Sequence, residues 1–168
     1  MSNDLKRTLA SNTPEKVGQE VLLQGWVQAR RDHGKLTFID LRDRSGLVQV
    51  VFNPRVSEEA HAVASELRGE FVVSLKGNVK ARPEKLVNPK LESGTVEIEA
   101  THVEIIAEAA PLPFDMGGEE LNLDLPNLLD HRALSLRHPK VQAIFKVQAV
   151  IIDSFREFMK SQEFFEFQ

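Results

Sequence analysis

The sequence predicts an all-β fold: a five-stranded Greek-key barrel with one helix between strands 3 and 4, then a hinge and a C-terminal amphipathic helix. Three observations carry that prediction. Five segments between residues 19 and 108 show the two-residue alternation of half-buried strands. The first three are separated by short breaks, Asp32-His33-Gly34-Lys35 and Arg44-Ser45-Gly46, each supplying a glycine for a tight turn. One helical stripe falls between the third and fourth segments, where a helix closes the bottom of such a barrel.

Residues 1–18 are polar and read as a lead-in, with Thr13 capping a helical turn that opens at Pro14. The first strand is predicted over Val21–Arg31, the second over Leu36–Asp43 and the third over Leu47–Phe52. In the second, Ile39 and Leu41 share one face and Phe38, Asp40 and Arg42 the other. In the third, Val48, Val50 and Phe52 oppose Leu47, Gln49 and Val51. Asn53-Pro54 ends pairing, and Ser57 caps a helix whose Ala60, Val63, Ala64 and Leu67 fall at i, i+3, i+4 and i+7. Glu58 and Glu59 occupy its first turn, where the helix dipole favours acids. Phe71, Val73, Leu75, Gly77 and Val79 alternate as a fourth strand. A fifth begins at Thr95–Glu99 and resumes through Val103 and Ile105 after a parity change at Ala100–His102, which predicts a bulge. The segment 109–130 is a hinge by composition, with Pro111, Pro113, Gly117-Gly118 and Pro126 spread through it. Residues 131–168 carry a helical stripe of Val141, Ile144, Phe145, Ile151, Ile152 and Phe155.

Composition narrows the chemistry. With 168 residues, 42% apolar and 27% charged, the chain is ordinary for a globular protein of one domain with an appendage. It has no cysteine, which excludes disulfides and thiolate metal sites, and its five histidines show no metal-ligand spacing. The N-terminus lacks an apolar targeting core, so cytoplasm is the expected compartment and no membrane partner is expected. A net charge of −4 excludes a wholesale electrostatic grip on nucleic acid, leaving a local basic patch of Arg30, Arg31, Lys35, Arg42 and Arg44. If the aliphatic faces build the core, Phe38 and Gln49 lie outside together. An exposed aromatic beside an amide and arginines can stack one unpaired base, read its edge and hold phosphate. The alternative is that Phe38 packs in the core or across strands.

GWVQARRDHG and FIDLRDRSGLVQVVF, within Gly25–Phe52, resemble the anticodon-binding OB-type barrel of aspartyl-tRNA synthetases. The resemblance implies that Phe38 stacks on the middle anticodon base and Gln49 hydrogen-bonds its edge. It also implies that Arg31 holds the neighbouring base or backbone, with Arg30 a second candidate and Asn88 and Glu84 candidates from the loop between strands 4 and 5. The expected partner is aspartate tRNA, with asparagine tRNA as the alternative; Gln28 and the Pro83–Asn88 loop are where discrimination between them is expected. AEAAPLPFDMGG resembles this family's hinge, and residues 131–168 resemble the opening of a class II catalytic domain, whose first motif forms a helix at a homodimer interface. The full-length family enzymes use ATP and magnesium. The second and third class motifs are not among these 168 residues, so the expectation is no catalytic residue, no metal site and no cofactor in this chain. Two other classes stay open: a free-standing barrel for single-stranded nucleic acid, and a protein-interaction domain.

Overall fold

The computed structural model describes residues 5–114, 116 and 121–167; Gly117 and Gly118 of the expected hinge lie outside the described residues. The chain divides into two compact units, Met1–Leu112 and Pro113–Gln168. In the first, β1 (Glu20–His33), β2 (Leu36–Asp43), β3 (Gly46–Phe52), β4 (Val72–Ala81) and β5 (Val96–Ala107) close a barrel in the order β1-β2-β3-β5-β4. All pairings are antiparallel except β3 with β5, which closes the ring in parallel through Val50 opposite Ile98 and Val51 opposite Glu99.

Alternation in the sequence becomes inside and outside in the barrel. Ile39, Val48, Val50, Val73, Leu75 and Ile98 are completely buried, each from the inward parity of its strand. Burying such aliphatic side chains stabilises the fold by about 1.5–3 kcal/mol each before chain entropy is counted. The helix α1 (Glu58–Glu66) begins where Ser57 accepts from the Ala60 amide at 3.1 Å, and Ala60, Ala64 and Leu67 are buried in the barrel core. The expected bulge in β5 falls at Thr101, which is skipped between Lys76 opposite His102 and Gly77 opposite Ala100.

The lead-in departs from expectation. It forms a 3-10 helix over Ala10–Lys16, and Thr13 sits inside it with Oγ1 donating to the Ala10 carbonyl at 2.7 Å. Tertiary acceptors explain the earlier start. The Ala10 amide donates to Asp43 Oδ2 at 2.9 Å and the Ser11 amide to Ser45 Oγ at 3.0 Å, so the β2–β3 turn caps the helix in place of Thr13.

The second unit is helical: α2 (Leu125–Asp130), α3 (Arg132–Ser135) and α4 (Pro139–Ser161). The helix α2 lies inside the segment expected as hinge, because Asp124 accepts from the Asn127 amide and Pro126 stands in the first turn, where no amide is required. His138 caps α4, its Nδ1 accepting from the Lys140 amide at 3.3 Å. Among the described residues of α4 only Val141 is buried, and Ile144, Val150, Ile151, Phe155 and Phe158 are exposed.

Candidate nucleic-acid interface

The outer face of β1, β2 and β3 is set by one irregularity. Register along β1 runs from Val27 opposite Leu41 to Ala29 opposite Asp40, so Gln28 is an extra residue. Without that bulge, strict alternation from the buried Val27 would turn Arg30 outward and Arg31 inward. With it, Arg31 stands opposite Phe38 on the outer face and Arg30 stands opposite the buried Ile39. The bulge is held by Arg42, which donates to Gln28 Oε1 and, through Nη2, to both carboxylate oxygens of Glu70 at 2.7 and 2.8 Å. Arg42 also lies 5.9 Å from the Trp26 ring centroid. Glu70 is buried and adopts φ 65°, a left-handed conformation that its ion pair helps to hold.

Phe38 is partly exposed on the outer face, opposite Arg31 on one side and Val51 on the other. One row away, Asp40 stands opposite Gln49. Gln49 is therefore a diagonal neighbour of Phe38, a geometry that puts the two residues about 7–8 Å apart with their Cβ atoms somewhat closer. The structure thus brings Arg31, Phe38 and Gln49 together. Arg31 Nη2 donates to Asp40 Oδ1 and Oδ2, both at 2.8 Å, while its side chain remains 60% exposed.

The other expected residues are placed differently. Arg30 points to the opposite face, donating to Asp32 Oδ2 at 2.7 Å, and its Nε is buried without a partner. Thr37 Oγ1 donates to Asp32 Oδ1 at 2.8 Å. The side-chain oxygen of Asn88 accepts from the Lys90 amide at 3.0 Å, which commits it to a local turn. Glu84 is exposed at the start of the short 3-10 helix Glu84–Leu86. Neither side chain bonds to Gln49 or Arg31 among the described residues. The expected basic patch is also not a patch. Arg30, Arg31 and Arg42 are each ion-paired, with Asp32, Asp40 and Glu70. Lys35 and Arg44 sit in turns at opposite ends of β2, separated by about 30 Å at the usual strand rise.

The residue that the sequence reading passed over is Arg82. Only 5% of its side chain is exposed. Nη2 donates to Gln49 Oε1, Nε pairs with Glu97 at 3.6 Å, and Nη1 reaches the carbonyls of Leu86 and Gly94 at 3.5 Å. Ser93 Oγ pins the same loop to the Leu47 carbonyl. Arg82 therefore ties the loop between β4 and β5 to the amide of Gln49. Its outward parity, shared with Lys80 and followed at once by Pro83, was the signal available.

Charge on this face is tuned by burial. Desolvation pushes the Asp40 carboxyl above its ordinary value, while Arg31 and then Arg82 pull the other way. Asp32 moves down, chiefly through the Thr37 hydroxyl.

Residues 21–106 match the family model described as OB-fold nucleic acid binding domain, the tRNA anticodon family. The chain belongs to that family. Residues 124–168 match a second model, tRNA synthetases class II (D, K and N). The aspartate–tRNA ligase of Staphylococcus aureus (strain Newman) is 42% identical over 152 residues, which is 90% of this chain and 26% of that protein. The chain thus spans about a quarter of the curated relatives it matches. Among solved structures, the aspartyl-tRNA synthetase of Entamoeba histolytica aligns over 99% of this chain and 40% of its own, with TM-score 0.83 and 26% identity. Asparaginyl-tRNA synthetase from Pyrococcus horikoshii, complexed with asparaginyl-adenylate, aligns over 97% and 36%, with TM-score 0.78 and 29% identity. OBody AM3L09, bound to hen egg-white lysozyme, aligns over 62% of this chain and 98% of its own, with TM-score 0.54 and 28% identity.

Proposed function

We propose that this chain supplies anticodon recognition as the N-terminal part of an aspartate–tRNA ligase, binding the anticodon loop of aspartate tRNA on the outer face of β1–β3. The observation that carries the reading is the joint placement of Phe38, Gln49 and Arg31 on that face. Phe38 offers its ring to the middle anticodon base, a contact available to any base because every base has a π-face. Selection comes from Gln49. Its Oε1 is taken by Arg82, so the amide turns its NH2 outward and offers donors only. Uracil, whose pairing edge carries two carbonyl acceptors, meets that demand; a base presenting an amino group there leaves donors facing donors. Arg31 holds the adjacent base or phosphate.

Arg30 takes no part in base contact on this reading, and Asn88 and Glu84 contribute through the shape of their loop. Asparagine tRNA, which shares the middle base, is the competing substrate. The full-length protein is proposed to act in the cytoplasm as a homodimer. No helix of the described residues is long and apolar enough to cross a membrane.

The family's ATP and magnesium do not fit the residues present. No group of three or more His, Asp or Glu among the described residues could hold a metal ion. The motifs through which class II enzymes hold ATP are not in the sequence. The reading is tested by binding anticodon stem-loops that differ only in the central base. A double variant, Phe38→Ala with Gln49→Ala, should lose both affinity and preference while remaining folded.

A further inference from the structure

We infer that Asp40 is a positioning residue, holding the Arg31 guanidinium at the base-binding level before RNA arrives; the inference rests on the reading of Arg31, Phe38 and Gln49 given above. By charge alone Asp40 is misplaced. It is a carboxylate in the middle of a face that must meet phosphate, on a chain already at −4. Its geometry accounts for its presence.

Arg31 has its Cα opposite Phe38, near the β1–β2 turn, yet its guanidinium reaches one row inward to Asp40. That row also contains Gln49. Asp40 thus draws the arginine away from the turn and toward the place where the Phe38 ring and the Gln49 amide meet. The two partners differ in burial: the Asp40 side chain is 18% exposed and that of Arg31 60%. A half-buried carboxylate on a strand is a fixed post, whereas a free surface arginine spreads over many rotamers. Accepting both hydrogen bonds, Asp40 selects one of them. Arg82 is held by several other partners, so Asp40 acts on Arg31.

Two physical effects predict opposite signs for Asp40→Asn, which removes the charge and keeps the shape. Coulomb's law predicts tighter RNA binding, since a negative charge is gone. Loss of a pre-ordered side chain predicts binding weaker by roughly 2- to 10-fold. The test uses the full chain and an anticodon stem-loop carrying G-U-C, in the Arg31 and Arg31→Ala backgrounds. Weaker binding by Asp40→Asn that vanishes when Arg31 is already alanine is the expected result. Equal or tighter binding overturns the inference, and so does an equal penalty in both backgrounds, because Asp40 would then not act through Arg31. Should Asp40→Asn fail a thermal-unfolding check, nitrogen relaxation of Arg31 Nε in the free parent decides. A guanidinium as restrained as the backbone supports the inference, and a freely rotating one overturns it. A parent chain that ignores the central base, or does not bind the stem-loop, removes the reading of the face itself, and the inference with it.

Discussion

Truncating Phe38 to alanine separates the two roles an aromatic on a sheet can have. Phe38 lies on the outer face, partly exposed, and its sheet contacts are its cross-strand neighbours Arg31 and Val51. A cross-strand pair of this kind contributes about 0.2–1 kcal/mol. With two such neighbours, the substitution should destabilise the fold by about 2 kcal/mol or less. Removing a phenylalanine from the core would cost ~3–5 kcal/mol instead. On the binding side, a base–aromatic stack is worth ~1–3 kcal/mol, roughly a 5- to 150-fold change in Kd. Urea unfolding gives the first quantity and fluorescence anisotropy with a labelled anticodon stem-loop gives the second. The reasoning requires a small loss of stability and a large loss of affinity. The reverse pattern, a loss of several kcal/mol in stability with unchanged affinity of the folded protein, would refute it.

Three further outcomes follow from the same structure. Glu70→Ala leaves the half-buried Arg42 without its carboxylate and should destabilise the barrel by up to ~3–5 kcal/mol in urea unfolding, whereas loss of a surface pair would be worth under ~1 kcal/mol. Asp40 should titrate above 3.8 and Asp32 below it by carboxyl-carbon NMR. The raised Asp40 means the folded state binds its proton more tightly than the unfolded chain does. Asp40 therefore favours folding at acid pH, and that contribution is lost as pH rises through its folded-state value. Deleting residues from Pro111 onward should leave a soluble barrel with a single cooperative unfolding transition, since β5 ends at Ala107 and the compact unit at Leu112; a non-cooperative melt would place part of its core in the helices.

Much of the fold could be read from alternation, because each strand has one face in the barrel core and the pleat imposes a period of two. That is why Ile39 and Leu41 are inside and Phe38 outside, as parity requires. What parity cannot register is an inserted residue with no apolar signature. The β5 bulge shifted a visible pattern of Val and Ile, whereas beyond the β1 bulge at Gln28 only Ala29 and the polar run Arg30–His33 follow, so no apolar alternation records the shift. Strict parity from Val27 therefore turns Arg30 outward, whereas the bulge reverses the pair and turns Arg31 outward instead. Long-range partners were equally hidden. The Thr13 cap was displaced by Asp43 and Ser45, thirty or more residues away in sequence. Two arginines of the basic patch are neutralised in the same hidden way, Arg31 by Asp40 across strands and Arg42 by Glu70 beyond α1. Arg82, just before the Pro83–Asn88 loop, went unread because its meaning lies in contacts to Gln49 and Glu97, which no local pattern announces.

The most direct test of the account is a paired titration of the full chain with two anticodon stem-loops, one carrying G-U-C and the other with its central U replaced by C. If Phe38 stacks the middle base while Arg82 fixes Gln49 as a donor, the U loop should bind on the order of tenfold tighter or more. The Phe38→Ala, Gln49→Ala double variant, still folded, should bind both loops weakly and alike. Equal affinity of the parent for the two loops, or a double variant that binds the U loop as tightly as the parent, would contradict the account.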